Sequence, residues 1–271
     1  MKVSIIIPAY KQEKTILKDI ENISEVMSHT RWDYEIICVV DGFLDNTFEN
    51  ASKTKVSKIK VVGYEKNKGK GYAIRYGMAR SEGEIVAFID AGMDINPNGI
   101  SLLLEHMIWY DADIIVGSKR HSASKVDYPL IRKIYSFFYQ ILVRVLFGLA
   151  IKDTQVGLKI FKREVLQKVL PRMVVKRYAF DIEILAASRY LGFIKIYDAP
   201  VEINFDFHNT NFNPYKLIFN TNIWKMIIDT LGVFYRIRIM KFYDDSSKRL
   251  WKYDKDLEMR VNTGEIKRNE I

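Results

Sequence analysis

The sequence predicts an α/β protein built on a Rossmann-like, mostly parallel sheet flanked by helices. Three observations carry this. Four runs, Val3–Ile7, Tyr34–Val40, Lys58–Tyr64 and Ile85–Ile89, are apolar or nearly so and end in polar or acidic residues, as strands buried on both faces do. Between them apolar residues recur at helical spacing, as Ile16, Ile20, Ile23 and Met27 do. The resulting order β-α-β-α-β-α-β is that of a doubly wound parallel sheet, and 271 residues are enough to bury one large core.

The first strand ends at Pro8-Ala9-Tyr10, and a helix follows from Thr15 to about Ser28. The second strand ends in Asp41-Gly42, with Asp45 close behind, before a short helix from Phe48. After the third strand comes the glycine-rich basic loop Asn67-Lys68-Gly69-Lys70-Gly71, which opens a helix from Tyr72. The fourth strand, Ile85–Ile89, runs into Asp90, with Asp94 four residues on and Pro97 closing the stretch. Helix Pro97–Tyr110 and strand Ala112–Gly117 extend the pattern. Further on, Leu130–Leu149 is a helix dense in aromatics, Lys159–Phe161 a short strand, and Arg163–Leu170 and Phe180–Tyr190 helices. Lys195 to Phe205 gives one or two strands, and Leu217–Met240 is helical, with a break expected near Gly232. The charged residues after Lys241 predict a tail that is disordered beyond Val261. Three regions follow: a main α/β domain over 1–210, a helical extension over 211–243 and a charged tail over 244–271.

Composition sets limits on function. Hydrophobic content of 48% and charged content of 28% exclude a disordered chain. The formal net charge of +9 suits anionic partners such as nucleotides or a phospholipid surface, but the basic residues form no recognisable nucleic-acid module. The single cysteine, Cys38, lies in an apolar run, so it reads as structural, and with no disulfide framework a reducing compartment is expected. The first strand starts at Val3, which predicts no signal peptide, and no segment is an uninterrupted apolar span.

Asp41, Lys70 and Asp90 all fall at the carboxyl ends of strands or in the loops after them, where open α/β sheets collect ligands. Asp90 and Asp94 are placed either to hold a hard divalent cation or to cap the helix that follows. Lys68 and Lys70 either meet phosphate, which a glycine-rich backbone lets approach closely, or form a solvated turn. Neither the P-loop pattern nor G-x-G-x-x-G is present.

The opening V-S-I-I-I-P-A-Y-x-x-E, then E-I-I-C-V-V-D-G, N-x-G-K-G-x-A, F-I-D-A and V-G-S-K-R resemble the inverting family 2 glycosyltransferases of GT-A fold. More narrowly, D-T-Q-V-G-L-K-I-F-K-R (Asp153–Arg163) and Y-A-F-D-I-E-I-L (Tyr178–Leu185) resemble the polyprenyl- and dolichyl-phosphate sugar synthases. That resemblance implies transfer of a hexose from a UDP- or GDP-linked donor to a lipid phosphate. It implies Pro8, Tyr10, Glu13, Asp41, Lys70 and Asp90 around the nucleotide, Mg²⁺ or Mn²⁺ at Asp90 and Asp94, and Lys119, Arg132 and Ser136 around the acceptor phosphate. Asp153 and Gln155 are implied near the donor sugar, with Asp90, as the catalytic group, and Lys159 beside them.

Two departures matter. Lys119 stands where arginine is usual, and lysine lacks the bidentate grip of a guanidinium. The metal motif D-x-D reads Asp90-Ala91-Gly92, so its second acid is missing. This leaves Asp90 and Asp94 to hold the cation, or else a protein that binds nucleotide sugar without turnover. A saccharide hydroxyl acceptor would need a carboxylate base. Asp153 is the candidate, with Asp181 and Glu183 behind it. Basic and aromatic residues interspersed in Ile134–Ile151 and Leu217–Met240 predict helices lying on a membrane surface, on its cytoplasmic face, or else core and oligomer contacts.

Overall fold

The computed structural model describes residues 1–92, 94–124, 130–174, 179–203, 221–244 and 249–266; the side chains of 130–136, 221–223 and 266 lie outside that description. The strands are β1 (Lys2–Ala9), β2 (Asp33–Asp41), β3 (Ile59–Tyr64), β4 (Ile85–Ile89), β5 (Ile114–Ser118), β6 (Leu158–Lys162) and β7 (Ile196–Pro200). They form one seven-stranded sheet in the order β3-β2-β1-β4-β6-β5-β7. All neighbours are parallel except β6, which runs antiparallel to both β4 and β5. The carboxyl ends of β1, β2, β4 and β5 therefore share one edge, and the start of β6 joins them.

The long apolar strands are apolar for a reason: helices cover both faces. Ile6, Ile37, Val39, Val86 and Phe88 point into one core with helices α3 (Lys70–Ala79), α5 (Leu130–Phe147), α6 (Arg163–Val169), α7 (Phe180–Tyr190) and α8 (Thr221–Arg238). The alternate residues Ile5, Ile7, Ile36, Cys38 and Ile89 point into the other, with α1 (Ile16–Ser28), α2 (Thr47–Ser52) and α4 (Asn98–Trp109). Cys38 is fully buried, and burial pushes its thiol up to about 12, so it stays an inert thiol.

Two expectations are corrected. Helix α8 is continuous through Gly232. A glycine costs a helix only about 1 kcal/mol against alanine, and here Val233 and Ile237, both buried, anchor the turns that follow it. Past Val261 the described residues, up to Ile266, also continue as a strand rather than as a disordered tail. Strands β8 (Arg249–Asp254) and β9 (Met259–Ile266) pair as an antiparallel hairpin. Its turn tucks Leu257 away, and Phe242 and Tyr243 are buried just before it. The Tyr243 hydroxyl donates to Glu183, a carboxylate with no exposed surface, which also accepts from Val174 N–H. The expected strand end at Phe205, the first residues of the Leu217 helix and Tyr178 lie outside the described residues.

Candidate functional site

The shared edge gathers a chain of alternating charges. Lys70, the first residue of α3, places its ammonium 2.8 Å from Asp90 Oδ1 and 3.1 Å from Oδ2, covering both oxygens. The same nitrogen lies 3.4 Å from Asp181 Oδ2 in the first turn of α7. The other Asp181 oxygen is 2.5 Å from the ammonium of Lys159, near the start of β6. Lys159 is buried, and it also donates to Val156 O. Burial works to raise the Asp181 carboxyl, but Lys159 and Lys70 outweigh it and hold it below the ordinary value. Burial likewise opposes the charge on Lys70, and Asp181 and Asp90 overcome it, so the ammonium is held above its usual range. In Lys159 burial prevails, and its value is lowered despite Asp181.

Asp90 keeps its place through a residue distant in the chain. Its N–H donates to Gly157 O at 2.9 Å, and a Cβ at position 157 would collide with Asp90 Oδ2. Only glycine leaves room for the carboxylate there. Asp94 is exposed, and its carboxyl is raised by burial of its oxygens and by the charge of Asp90, against the pull of Lys119. Two acids that repel one another at an open edge match the oxygen donors a hard divalent cation takes. Among the described residues no group of three or more such ligands is present, so the remaining positions fall to phosphate oxygens and water. The residues present fit a cation shared with a diphosphate.

The loops after β1, β2 and β3, expected around the nucleotide, are held by backbone as much as by side chains. Asp41 is buried, and its oxygens accept from Lys68 N at 2.7 Å, Gly69 N at 3.0 Å and Asn67 Nδ2 at 3.0 Å. It anchors the Asn67–Lys70 loop and faces that loop. Glu13 Oε2 accepts from Asn46 N at 3.2 Å, tying the loop after β1 to the loop after β2. Pro8 is half-buried in β1, and Tyr10 stands 45% exposed at its end, open to a stacking partner. From the far end of the chain, Asp256 in the turn of the hairpin reaches Lys68 Nζ at 3.4 Å and Tyr72 Oη at 3.3 Å, while its carbonyl accepts from Arg80.

On the other flank, Asp153 Oδ1 accepts from Gln155 N at 3.0 Å. The Gln155 side-chain nitrogen is buried, and the Gln155 side chain lies beside the Tyr139 hydroxyl of α5. Lys119 follows β5 directly and is near enough to act on Asp94. Arg120 donates to Lys152 O at 3.5 Å and lies 6.0 Å from the Phe137 ring on α5. Arg132 and Ser136 fall on α5, with side chains outside the described residues. A groove of about 970 Å³ between α1 and α4 reaches Asp90 from the other direction, but Lys70, Lys119 and Lys159 do not line it.

The structure thus brings Asp90, Asp94, Lys70, Lys159 and Lys119 together, and adds residues that sequence reasoning did not single out. Gly157 carried a signal, a glycine placed just before a short apolar strand. Asp19, buried in α1 and accepting from Gly92 N, carried one as well: three residues after Ile16 and next to Ile20, it is an acid on the face that the helix buries.

The seven-stranded, mostly parallel sheet flanked by helices is a GT-A-type fold. The model of glycosyl transferase family 2 matches residues 4–170, and this chain belongs to that family. A dolichyl-phosphate beta-glucosyltransferase of Trichomonas vaginalis is 31% identical over 257 residues, covering 89% of this chain and 76% of that protein. The human dolichyl-phosphate beta-glucosyltransferase is 32% identical over 220 residues, 75% of this chain and 67% of that protein. The chain spans 62% of the length of the Dictyostelium discoideum relative. Among solved structures, glucosyl-3-phosphoglycerate synthase of Mycobacterium tuberculosis superposes with a TM-score of 0.64 at 20% identity, over 96% of this chain and 86% of that one; it was crystallised with Mn²⁺, UDP-glucose and phosphoglyceric acid.

Proposed function

We propose that this chain transfers glucose from a nucleoside-diphosphate donor onto a polyprenyl phosphate of the dolichyl kind, with inversion, while lying peripherally on the cytoplasmic face of a membrane. The observation that carries the reading is the junction at Arg120. A cationic pair, Lys119 and Arg120, sits between the acid edge and the exposed rings of Phe137 and Phe138. A lipid phosphate has the same two halves, an anion and an apolar chain. The apolar side continues outward. Phe138, Ile141 and Val145 on α5 and Trp224, Ile228 and Leu231 on α8 are all more than 40% exposed, and Tyr139 bonds Thr230 across the pair. No helix among the described residues is long and apolar enough to cross a membrane, so contact along the surface is the reading these faces support. The names of the relatives support glucose and dolichyl phosphate.

Asp90 and Asp94 would hold Mg²⁺ or Mn²⁺ together with the donor diphosphate, and a cation bound there supplies neutralisation of the leaving phosphates. Lys70 stands beside the same place and adds a second positive charge to the departing group. An oxygen of the acceptor phosphate attacks the anomeric carbon as the bond from that carbon to the β-phosphate oxygen breaks. The nucleoside diphosphate leaves, and a single displacement inverts the centre. A phosphate monoester is already ionised near neutral pH, so no strong base is needed, and the work is positioning and charge. The state of Asp181 agrees, since a carboxylate held low by two lysines is a poor proton acceptor.

The test is transfer of labelled sugar from UDP- and GDP-donors, with Mg²⁺ or Mn²⁺, to dolichyl or undecaprenyl phosphate. Label in the lipid phase with UDP-glucose is the expected result. Label only in an added saccharide would replace this acceptor with a hydroxyl. Nucleotide binding with no turnover over the whole panel would make the chain a binding protein.

A further inference from the structure

The segment that faces the cation has lost its second acid, and the backbone at that position is unusual. Gly92 has φ +116°, a conformation that residues with a side chain rarely adopt. Space is not the reason. Among the described residues a Cβ at position 92 would meet only the Gln12 amide, at 3.7 Å. What distinguishes the position is its N–H, which donates at 3.0 Å to Oδ2 of Asp19. Asp19 lies in the first turn of α1, its own N–H bonded to Thr15 O, and only 6% of its surface is exposed. A buried carboxylate is costly unless its oxygens receive donors, and this one receives a backbone N–H from the turn between Asp90 and Asp94. The same end of α1 is fixed by Gln12, whose N–H donates to Thr47 Oγ1 at 2.8 Å and whose side chain accepts from Thr15. One end of the turn is pinned at Asp90 through Gly157, and Ile95, just past the other, bridges to Ile203.

We propose that Asp19 is a positioning residue for the cation-facing turn: by holding Gly92 N–H it fixes the backbone that sets Asp90 and Asp94 relative to one another. The glycine at 92 belongs with that anchor. Position 92 is then no vacant ligand site, and an acid introduced there strains the turn without completing the D-x-D pair. The inference rests on the cation-assisted reading above and concerns how this chain achieves it with two acids.

The experiment measures Mn²⁺-dependent binding of UDP or GDP, whichever binds more tightly, by calorimetry, with thermal unfolding to verify the fold of each variant. Asp19→Asn keeps an oxygen acceptor and is expected to bind within about threefold of the unaltered chain. Asp19→Ala is expected to lose about tenfold in Mn²⁺-dependent affinity, or about 1.4 kcal/mol, with metal-free nucleotide binding unchanged. Gly92→Asp is expected to weaken Mn²⁺-dependent binding as well. The proposal is overturned if folded Asp19→Ala binds as the unaltered chain does, if the asparagine variant loses as much as alanine, or if Gly92→Asp binds tighter. Nucleotide binding that ignores Mn²⁺ in the unaltered chain would sink the cation reading by itself. Hydrogen exchange at the Gly92 amide then decides the anchor: faster exchange in Asp19→Ala but not Asp19→Asn upholds it, and equal exchange in all three removes it.

Discussion

The donor edge and the α5–α8 pair lie on the same molecule and are built to opposite rules. At the edge, almost every charge has a counter-charge. Lys159 meets Asp181, Asp181 meets Lys70, and Lys70 meets Asp90. Along the helix pair the outward face is apolar and uncovered, with Val145 at 76% and Ile228 at 64% exposed. A small, highly charged ligand is served by groups fixed beforehand in a site of low dielectric, where each charge acts strongly. A lipid surface offers no fixed geometry to match, so area and breadth serve better than precision. The difference teaches where substitutions should be sharp in effect and where they should be gradual.

The sharpest break is expected at Asp181. Asp181→Asn leaves the buried Lys159 ammonium without its counter-charge, and loss of one member of a buried pair costs about 3 kcal/mol. Urea unfolding at pH 7 measures it. The unaltered chain carries the corresponding pH signature. The folded Asp181 value is depressed below 3.8, so its stabilisation is present above that value and lost as pH falls through the folded one. Unfolding between about pH 5 and about pH 2 should show this part of the slope, and the asparagine variant should lack it.

Next is Gly157→Ala, which adds one methyl group against Asp90 and nothing else. Displacing a reacting-site group by about 1 Å costs on the order of 100-fold in rate, so kcat should fall by about that factor with little change in Tm. A folded variant with undiminished turnover would show that Asp90 is not held by this contact. Lys70→Met should raise the donor KM about 30-fold, the loss of one charged hydrogen bond of about 2 kcal/mol. It should also let Mn²⁺ bind the nucleotide-free protein more tightly, because both Asp90 oxygens are then uncovered. Calorimetry with Mn²⁺ alone reads this, and an unchanged affinity would mean that Lys70 does not compete for Asp90.

On the helix pair, Val145→Ser should lower binding to anionic lipid vesicles about tenfold, from the loss of roughly 1.5 kcal/mol of apolar burial. Turnover of a short-chain, water-soluble acceptor should stay as it was. If the two readouts fall together, the comparison between sharp and gradual regions fails.

Much of the sheet was legible in the chain. Strands β1, β2 and β4 are near-unbroken apolar runs because helices bury both of their faces, and a strand with one face in water would alternate instead. The chemistry at their ends was legible for the same reason, since Asp41 and Asp90 interrupt those runs. Harder to read was whatever depends on distant partners. Asp181 at a helix start satisfies the rule for capping, and only the fold reveals that Lys70, 111 positions away, shares it. Gly157 and Asp19 act on Asp90 and Gly92 across similarly long gaps, and no local pattern records such a contact. The hairpin β8–β9 escaped because Lys252, Asp254 and Arg260 make its strands look like a solvated tail. The alternation of Met259, Val261 and Thr263 was the one trace of it.

That hairpin has a consequence for the order in which the protein can be completed. The Lys68–Asp256 contact joins residues 188 positions apart. Contacts of such separation close late, because a long stretch of chain must be ordered first. During synthesis the Asn67–Lys70 loop leaves the ribosome long before the hairpin residues that brace it. Until they arrive, the loop has Asp41 beneath it and nothing from the hairpin above. The loop therefore reaches its braced form only once the hairpin has been made.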